Sequence, residues 1–160
     1  MKALCIIDVQ EYFMKPYFKW YDKVVNNTLT LINKQKRKQH PIIIVEFNDP
    51  SYGSTIEEIV DEIGEYPYEL VRKSDRSGGY QIESVVSKLA CPRQVILAGV
   101  NYHQCVAATA ETLLRINFTV DVYKNASNPQ FATYEKDNWK SIKQNANLKF
   151  KYVKSGLRRK

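Results

Sequence analysis

Four consecutive β-branched residues, Ile42-Ile43-Ile44-Val45, constrain the fold of this chain more than any other stretch. They show no alternation of apolar and polar side chains. A strand of this kind has no solvent face and belongs inside a sheet covered on both sides. Short apolar runs at 3–7, 68–71, 95–98 and 118–123 read as further strands, and a sixth, edge strand is expected over 149–153. Helical patterns fall between them, at 23–39, 54–63, 82–89, 105–114 and 132–145. Asp22 is placed to cap the first helix, Pro41 to end it, and Ser54 with Glu57 to form a capping box for the second. Alternation of strand and helix from end to end predicts an α/β fold: a doubly wound, mainly parallel sheet of five or six strands with helices on both faces. A chain of 160 residues suits one domain, 1–160, with a single core.

Ligands of open parallel sheets bind beyond the carboxyl ends of the strands. Asp8, Lys73 and Cys105 each fall just past such an end, so one rim carries an acid, a base and a thiol. Cys105 follows the strand 95–98, Gly99 and a five-residue loop, and it precedes the small-residue run Val106-Ala107-Ala108-Thr109-Ala110. A free cysteine is most often a small buried hydrophobe. At a strand-to-helix turn, however, free amide N–H groups and the helix dipole favour a thiolate, and the same amides can hold an oxyanion.

The composition removes several classes. The three cysteines form no CxxC pair, which fits a reduced compartment and argues against a disulfide framework or a cysteine-based zinc site. No apolar run approaches the roughly 20 residues that span a bilayer. Met1 to Asp8 does not read as a signal peptide, so a cytoplasmic location without membrane attachment is expected. The net charge is +7, with cations gathered at 34–38, where they complement a helix C-terminus, and at 158–160. No nucleic-acid-binding motif accompanies them, so no specific nucleic-acid partner is expected. The turn Asp8-Val9-Gln10-Glu11-Tyr12 has no glycine, which argues against a dinucleotide-binding domain.

Three segments together resemble the isochorismatase-like cysteine hydrolases. Ile6-Ile7-Asp8-Val9-Gln10-Glu11-Tyr12-Phe13 is similar to the opening of that family. Val71-Arg72-Lys73 followed by Ser77-Gly78-Gly79-Tyr80 resembles its lysine segment, and Gly99 to Val106 its nucleophile loop. The resemblance implies a sheet order of 3-2-1-4-5-6 and a catalytic set of Asp8, Lys73 and Cys105. Cys105 would be the nucleophile, Asp8 the proton acceptor and donor, and Lys73 the cation that stabilises the thiolate. The backbone N–H groups of Asn101 and Cys105 would form the oxyanion hole, and the peptide bond between Val100 and Asn101 would be cis.

The implied order raises a geometric problem. Strand two separates strand three from strand one, a span of about 10 Å that the Lys73 side chain must cross. The departures bear on the substrate. Nicotinamidases of this family carry histidines after strand two that hold a metal. Here that region reads Glu46-Phe47-Asn48-Asp49-Pro50-Ser51-Tyr52-Gly53. No metal and no cofactor are therefore expected, and hydrolysis of a small amide through a thioester is favoured over nicotinamide cleavage. Phe13, Tyr102 and His103 are candidate substrate contacts. The aromatics Tyr12, Phe13, Tyr17 and Trp20 could wall a pocket or simply pack over the sheet end, and His103 could instead be a surface or interface residue. The resemblance also implies a homo-oligomer, a dimer or larger. A non-catalytic relative that binds a ligand or partner is the alternative.

Overall fold

The computed structural model describes residues 1–16, 18–128 and 138–154. Its sheet has six strands: β1 (Ala3–Ile7), β2 (Ile42–Phe47), β3 (Glu69–Lys73), β4 (Gln94–Gly99), β5 (Thr119–Ser127) and β6 (Leu148–Lys151). Their order is β3-β2-β1-β4-β5-β6 and every pairing is parallel. The order is the expected one. The helices are α1 (Tyr21–Lys38), α2 (Glu57–Ile63), α3 (Gly79–Lys88) and α4 (Ala107–Arg115).

Successive side chains of a strand point to opposite faces, so each central strand feeds two cores. Cys5, Ile7, Ile43, Val45, Val95 and Leu97 pack toward α3 and α4. Leu4, Ile6, Ile42, Ile44 and Ala98 pack toward α1 and α2. All five residues of β1 are buried, as are the first five of β2. β3 alternates between half-buried and exposed residues until its last, Lys73, as suits an edge strand.

Local details depart from the sequence reading where tertiary bonds compete with caps. The helix α1 starts at Tyr21, so Asp22 sits in its first turn and favours the dipole instead of capping. Gln39 closes α1 in the left-handed conformation, φ 58°, with its N–H on Gln35 O and Lys36 O. The capping box at Ser54 to Glu57 does not form. The helix α2 begins at Glu57 without a side-chain cap. The neighbouring Thr55 instead gives its N–H and hydroxyl to Glu46 Oε2, at 2.9 and 2.8 Å. Of the helix expected over 132–145, residues 132–137 lie outside the described residues, and 138–144 forms turns. Trp139 and Ile142 bury their side chains from those turns. Tyr17 and the basic stretch 158–160 also lie outside the described residues.

Candidate active site

Three strand ends build the site. β1 ends at Ile7, and Asp8 follows with φ 54°, a left-handed turn that aspartate tolerates. Its backbone N–H is anchored on Val45 O at 2.9 Å. β4 ends at Gly99, φ 118°, where an added Cβ would lie 2.1 Å from Ile7 O. Only glycine lets β4 pass so close to β1 as it turns toward Cys105. The chain then continues through a cis Val100–Asn101 peptide bond, as the family resemblance implied.

Lys73 crosses the sheet end as the strand order requires. The registers pair Ile7 with Val45 on β2, and Phe47 of β2 with Lys73 on β3. The lysine stem runs over Phe47, with Nζ 4.1 Å from the ring centroid, and Nζ reaches Asp8 Oδ2 at 3.1 Å. It also donates to Asp75 O at 2.9 Å. Gly78 makes room for the stem, because a Cβ there would lie 2.9 Å from Val45 Cγ1 and 3.2 Å from Lys73 Cδ. The Gly78 N–H is held by Thr109 Oγ1 of α4 at 3.0 Å. The Lys73 and Asp8 side chains are 0% and 1% exposed. Such a pair is weak support for stability, since two desolvated charges roughly offset their attraction.

Cys105 completes the group. Its thiol interacts with both the Asp8 carboxyl and the Lys73 ammonium. Asp8 Oδ1 is buried with no other hydrogen-bond partner among the described residues, and the thiol is the donor beside that carboxyl. The electrostatics correct one expectation. Burial, followed by the Asp8 charge, pushes the Cys105 thiol up to about 12, although Lys73 acts in the opposite direction. The resting side chain is a thiol and not a readily formed thiolate. Burial likewise raises Asp8 above the usual carboxylate range against the pull of Lys73. A more basic Asp8 is a better acceptor for a proton from sulfur.

The loop before Cys105 also differs from its sequence reading. Tyr102–Val106 forms a π-helical turn that leads directly into α4. Gln104 N–H and Val106 N–H both donate to Asn101 O, at 3.0 and 3.2 Å. Asn128, the residue after β5, fastens this turn, a contact invisible in the sequence. It donates Nδ2 to Asn101 Oδ1 at 2.7 Å and accepts from Tyr102 N at 3.0 Å. Ser127 Oγ donates to Gly99 O at 2.5 Å.

The three expected substrate contacts separate. Phe13 joins an aromatic group with Tyr12 and Tyr52, and Tyr52 in turn meets Phe47 at 5.5 Å. This group therefore extends to the ring beneath Lys73 and is the best-placed of the three. Tyr102 is buried in the core, its ring 4.8 Å from Trp139, because the π-helical turn directs it inward. His103 is half-buried, edge-on to Tyr102, and Nδ1 has no hydrogen-bond partner among the described residues. Trp20 is buried against Phe18, so it packs.

The segment after β2 is occupied by bonds of its own. Gln10 Oε1 accepts from Phe47 N at 2.8 Å, and its Nε2 donates to Gly53 O at 2.8 Å. Asp49 caps a single 3-10 turn, Pro50–Tyr52, through Ser51. Glu46 holds Thr55 and pairs with Arg72 at 3.5 Å. Among the described residues no three His, Cys, Asp or Glu side chains gather in metal-binding fashion. No described helix is long and apolar enough to cross a membrane.

A parallel 3-2-1-4-5-6 sheet with an acid, a lysine and a thiol gathered at its carboxyl rim defines an α/β protein of the isochorismatase-like class. A family model described as the isochorismatase domain matches residues 2–153, and the chain belongs to that family. It is 28% identical over 124 residues to isochorismatase domain-containing protein 2 of Danio rerio, covering 78% of this chain and 61% of that protein. The chain thus spans about three fifths of the length of this curated relative. Among solved structures it resembles the MAR1 ribonuclease of Caenorhabditis elegans (TM-score 0.69, 25% identity, 79% of this chain and 64% of that one). It also resembles N-carbamoylsarcosine amidase of Thermoplasma acidophilum in fold (TM-score 0.74, 22% identity, 95% and 96% covered).

Proposed function

We propose that this chain is a cysteine hydrolase that cleaves the C–N bond of a small amide through a thioester, with Asp8, Lys73 and Cys105 as its catalytic residues. The observation that carries the reading is the buried Lys73–Asp8 contact at 3.1 Å with the Cys105 thiol against both groups. Asp8 takes the thiol proton as sulfur attacks the carbonyl carbon, so the thiolate exists only while the bond forms. Lys73 stabilises that developing negative charge. Backbone N–H groups of Asn101 and Cys105 receive the oxyanion. Protonated Asp8 then gives its proton to the departing amine, and the acyl group remains on sulfur. Water attacks the thioester, Asp8 accepts its proton, and the carboxylic acid leaves as Cys105 regains its proton.

The reading needs no metal, and the segment after β2 fits that, because Glu46 and Asp49 are committed to Thr55 and Ser51. The amidase fold neighbour supports an amide as the substrate class. Phe13, within the aromatic group that reaches Phe47, is the proposed substrate contact. A homo-oligomer is part of the same reading and is tested by sedimentation.

The test is a panel of small primary amides and ureido acids assayed for ammonia release, with single-stranded RNA assayed for strand cleavage because of the C. elegans neighbour's name. Turnover of one amide that disappears in Cys105→Ala is expected. Turnover unaffected by Cys105→Ala overturns the mechanism. Tight binding without turnover of any amide favours the non-catalytic alternative.

A further inference from the structure

The face of the sheet covered by the C-terminal half of α1 carries an accumulation of positive charge that the proposed chemistry does not use. A cavity of about 240 Å³ lies there beside the last turns of α1. Lys2, Lys34, Lys38 and Lys151 line it, over an apolar floor that includes Leu31 and Ile96. One carboxylate faces the same space. Asp121, with a side chain 3% exposed, takes Lys2 at 2.5 Å and Lys151 at 3.0 Å. Among the described residues neither Lys34 nor Lys38 has an acid within ion-pair distance, so four cations face a single anion. Burial and the neighbouring Lys38, Lys151, Arg37 and Lys154 hold the Lys34 ammonium below its ordinary range. Like charges gathered around a concavity repel, and a bound anion relieves that repulsion.

We propose that this cavity is a binding site for a small phosphate-bearing anion. A phosphate concentrates more than one negative charge on one centre, which matches a net excess of three positive charges, four lysines against one aspartate, better than a single carboxylate does. Lysines bind phosphate as point charges and do not require a planar partner. The cavity lies between α1 and the strands, and its volume suits a small molecule. Gln35 is not a ligand through its amide N–H groups, which are spent on Lys2 O and Pro41 O at 2.9 Å each. The site is remote from the proposed catalytic group. Lys2 and Asp8 lie at opposite ends of β1, about 20 Å apart at the rise of an extended strand.

The test is calorimetric titration of the full chain with inorganic phosphate and with pyrophosphate, each against sodium chloride at matched ionic strength. Saturable binding of one equivalent is expected, unchanged in Cys105→Ala. The double variant Lys34→Gln/Lys38→Gln should bind about tenfold or more weakly. Lys23→Gln, on the first turn of α1 and outside the cavity lining, should bind as the parent does, and circular dichroism verifies that each variant is folded. Absence of saturable heat at millimolar phosphate and pyrophosphate overturns the proposal. So does equal affinity in the double variant, or equal competition by chloride.

Discussion

Replacing Asp8 with asparagine separates two effects that the proposed mechanism assigns to one carboxyl group. Asparagine tolerates the left-handed conformation at φ 54°, so the turn survives. The negative charge does not. A unit charge at about 4 Å, in an effective dielectric of about 20, is worth about 4 kcal/mol, or about three pKa units. Burial, the larger cause of the raised thiol, is unchanged, and asparagine can still hydrogen-bond the thiol, so a fall of about two units is expected. The thiol should then move from about 12 to about 10. Near pH 8 the thiolate fraction rises about a hundredfold. Because nucleophilicity declines with pKa, the alkylation rate rises only about tenfold. Turnover moves the other way, falling by about 10²–10⁴ with loss of the general acid–base. The assay is iodoacetamide modification followed by peptide mass spectrometry, which resolves Cys105 from Cys5 and the more accessible Cys91. Asp8→Asn should make Cys105 more reactive toward iodoacetamide and less active toward substrate. Slower alkylation with retained turnover would refute the assignment of Asp8 as the base.

Other expectations follow from the same geometry. Lys73→Met strands the buried Asp8 carboxyl. It should lower stability by about 3–5 kcal/mol in urea unfolding and slow Cys105 alkylation, because the cation that favours the thiolate is gone. Gly78→Ala pushes a methyl against Val45 and the Lys73 stem. A loss of about 1–3 kcal/mol is expected, together with a lower kcat, and unaltered turnover would show that the lysine path is not constrained there. Tyr21 donates to Glu58 Oε2 at 2.6 Å, and burial first, then Glu58, pushes its phenol up to about 12. A raised folded-state pKa stabilises below the unfolded value near 10, and that contribution is lost as pH rises through about 12. Tyr21→Phe should therefore be about 1 kcal/mol less stable at neutral pH, with the gap closing in alkali.

The features that were legible in the sequence are those set by periodicity and by position along the chain. The unbroken apolar character of Ile42 to Val45 requires two covered faces, and both β1 and β2 have them. Strand ends mark the rim, and Asp8, Lys73 and Cys105 meet there. What stayed hidden depends on contacts between distant segments. No local pattern in the sequence reveals that Glu46 would claim Thr55 and undo the capping box, or that Asn128 would fasten the Asn101–Tyr102 turn. The direction of the Cys105 shift was also out of reach. A strand-to-helix turn suggests an acidified thiol, but burial and a facing carboxylate outweigh the pull of Lys73, and both are tertiary facts. The role of Gly78 becomes clear only once the Lys73 stem is seen crossing beside Val45 toward β1.

The central claim is that Cys105 carries the acyl group of the substrate. Rapid-quench intact-mass measurement during turnover of an accepted amide tests it directly. A transient adduct of the acyl mass should map to the Cys105 peptide, be released by hydroxylamine, and be absent from Cys105→Ser. Steady turnover with no adduct at any quench time, together with activity retained in Cys105→Ser, would contradict it.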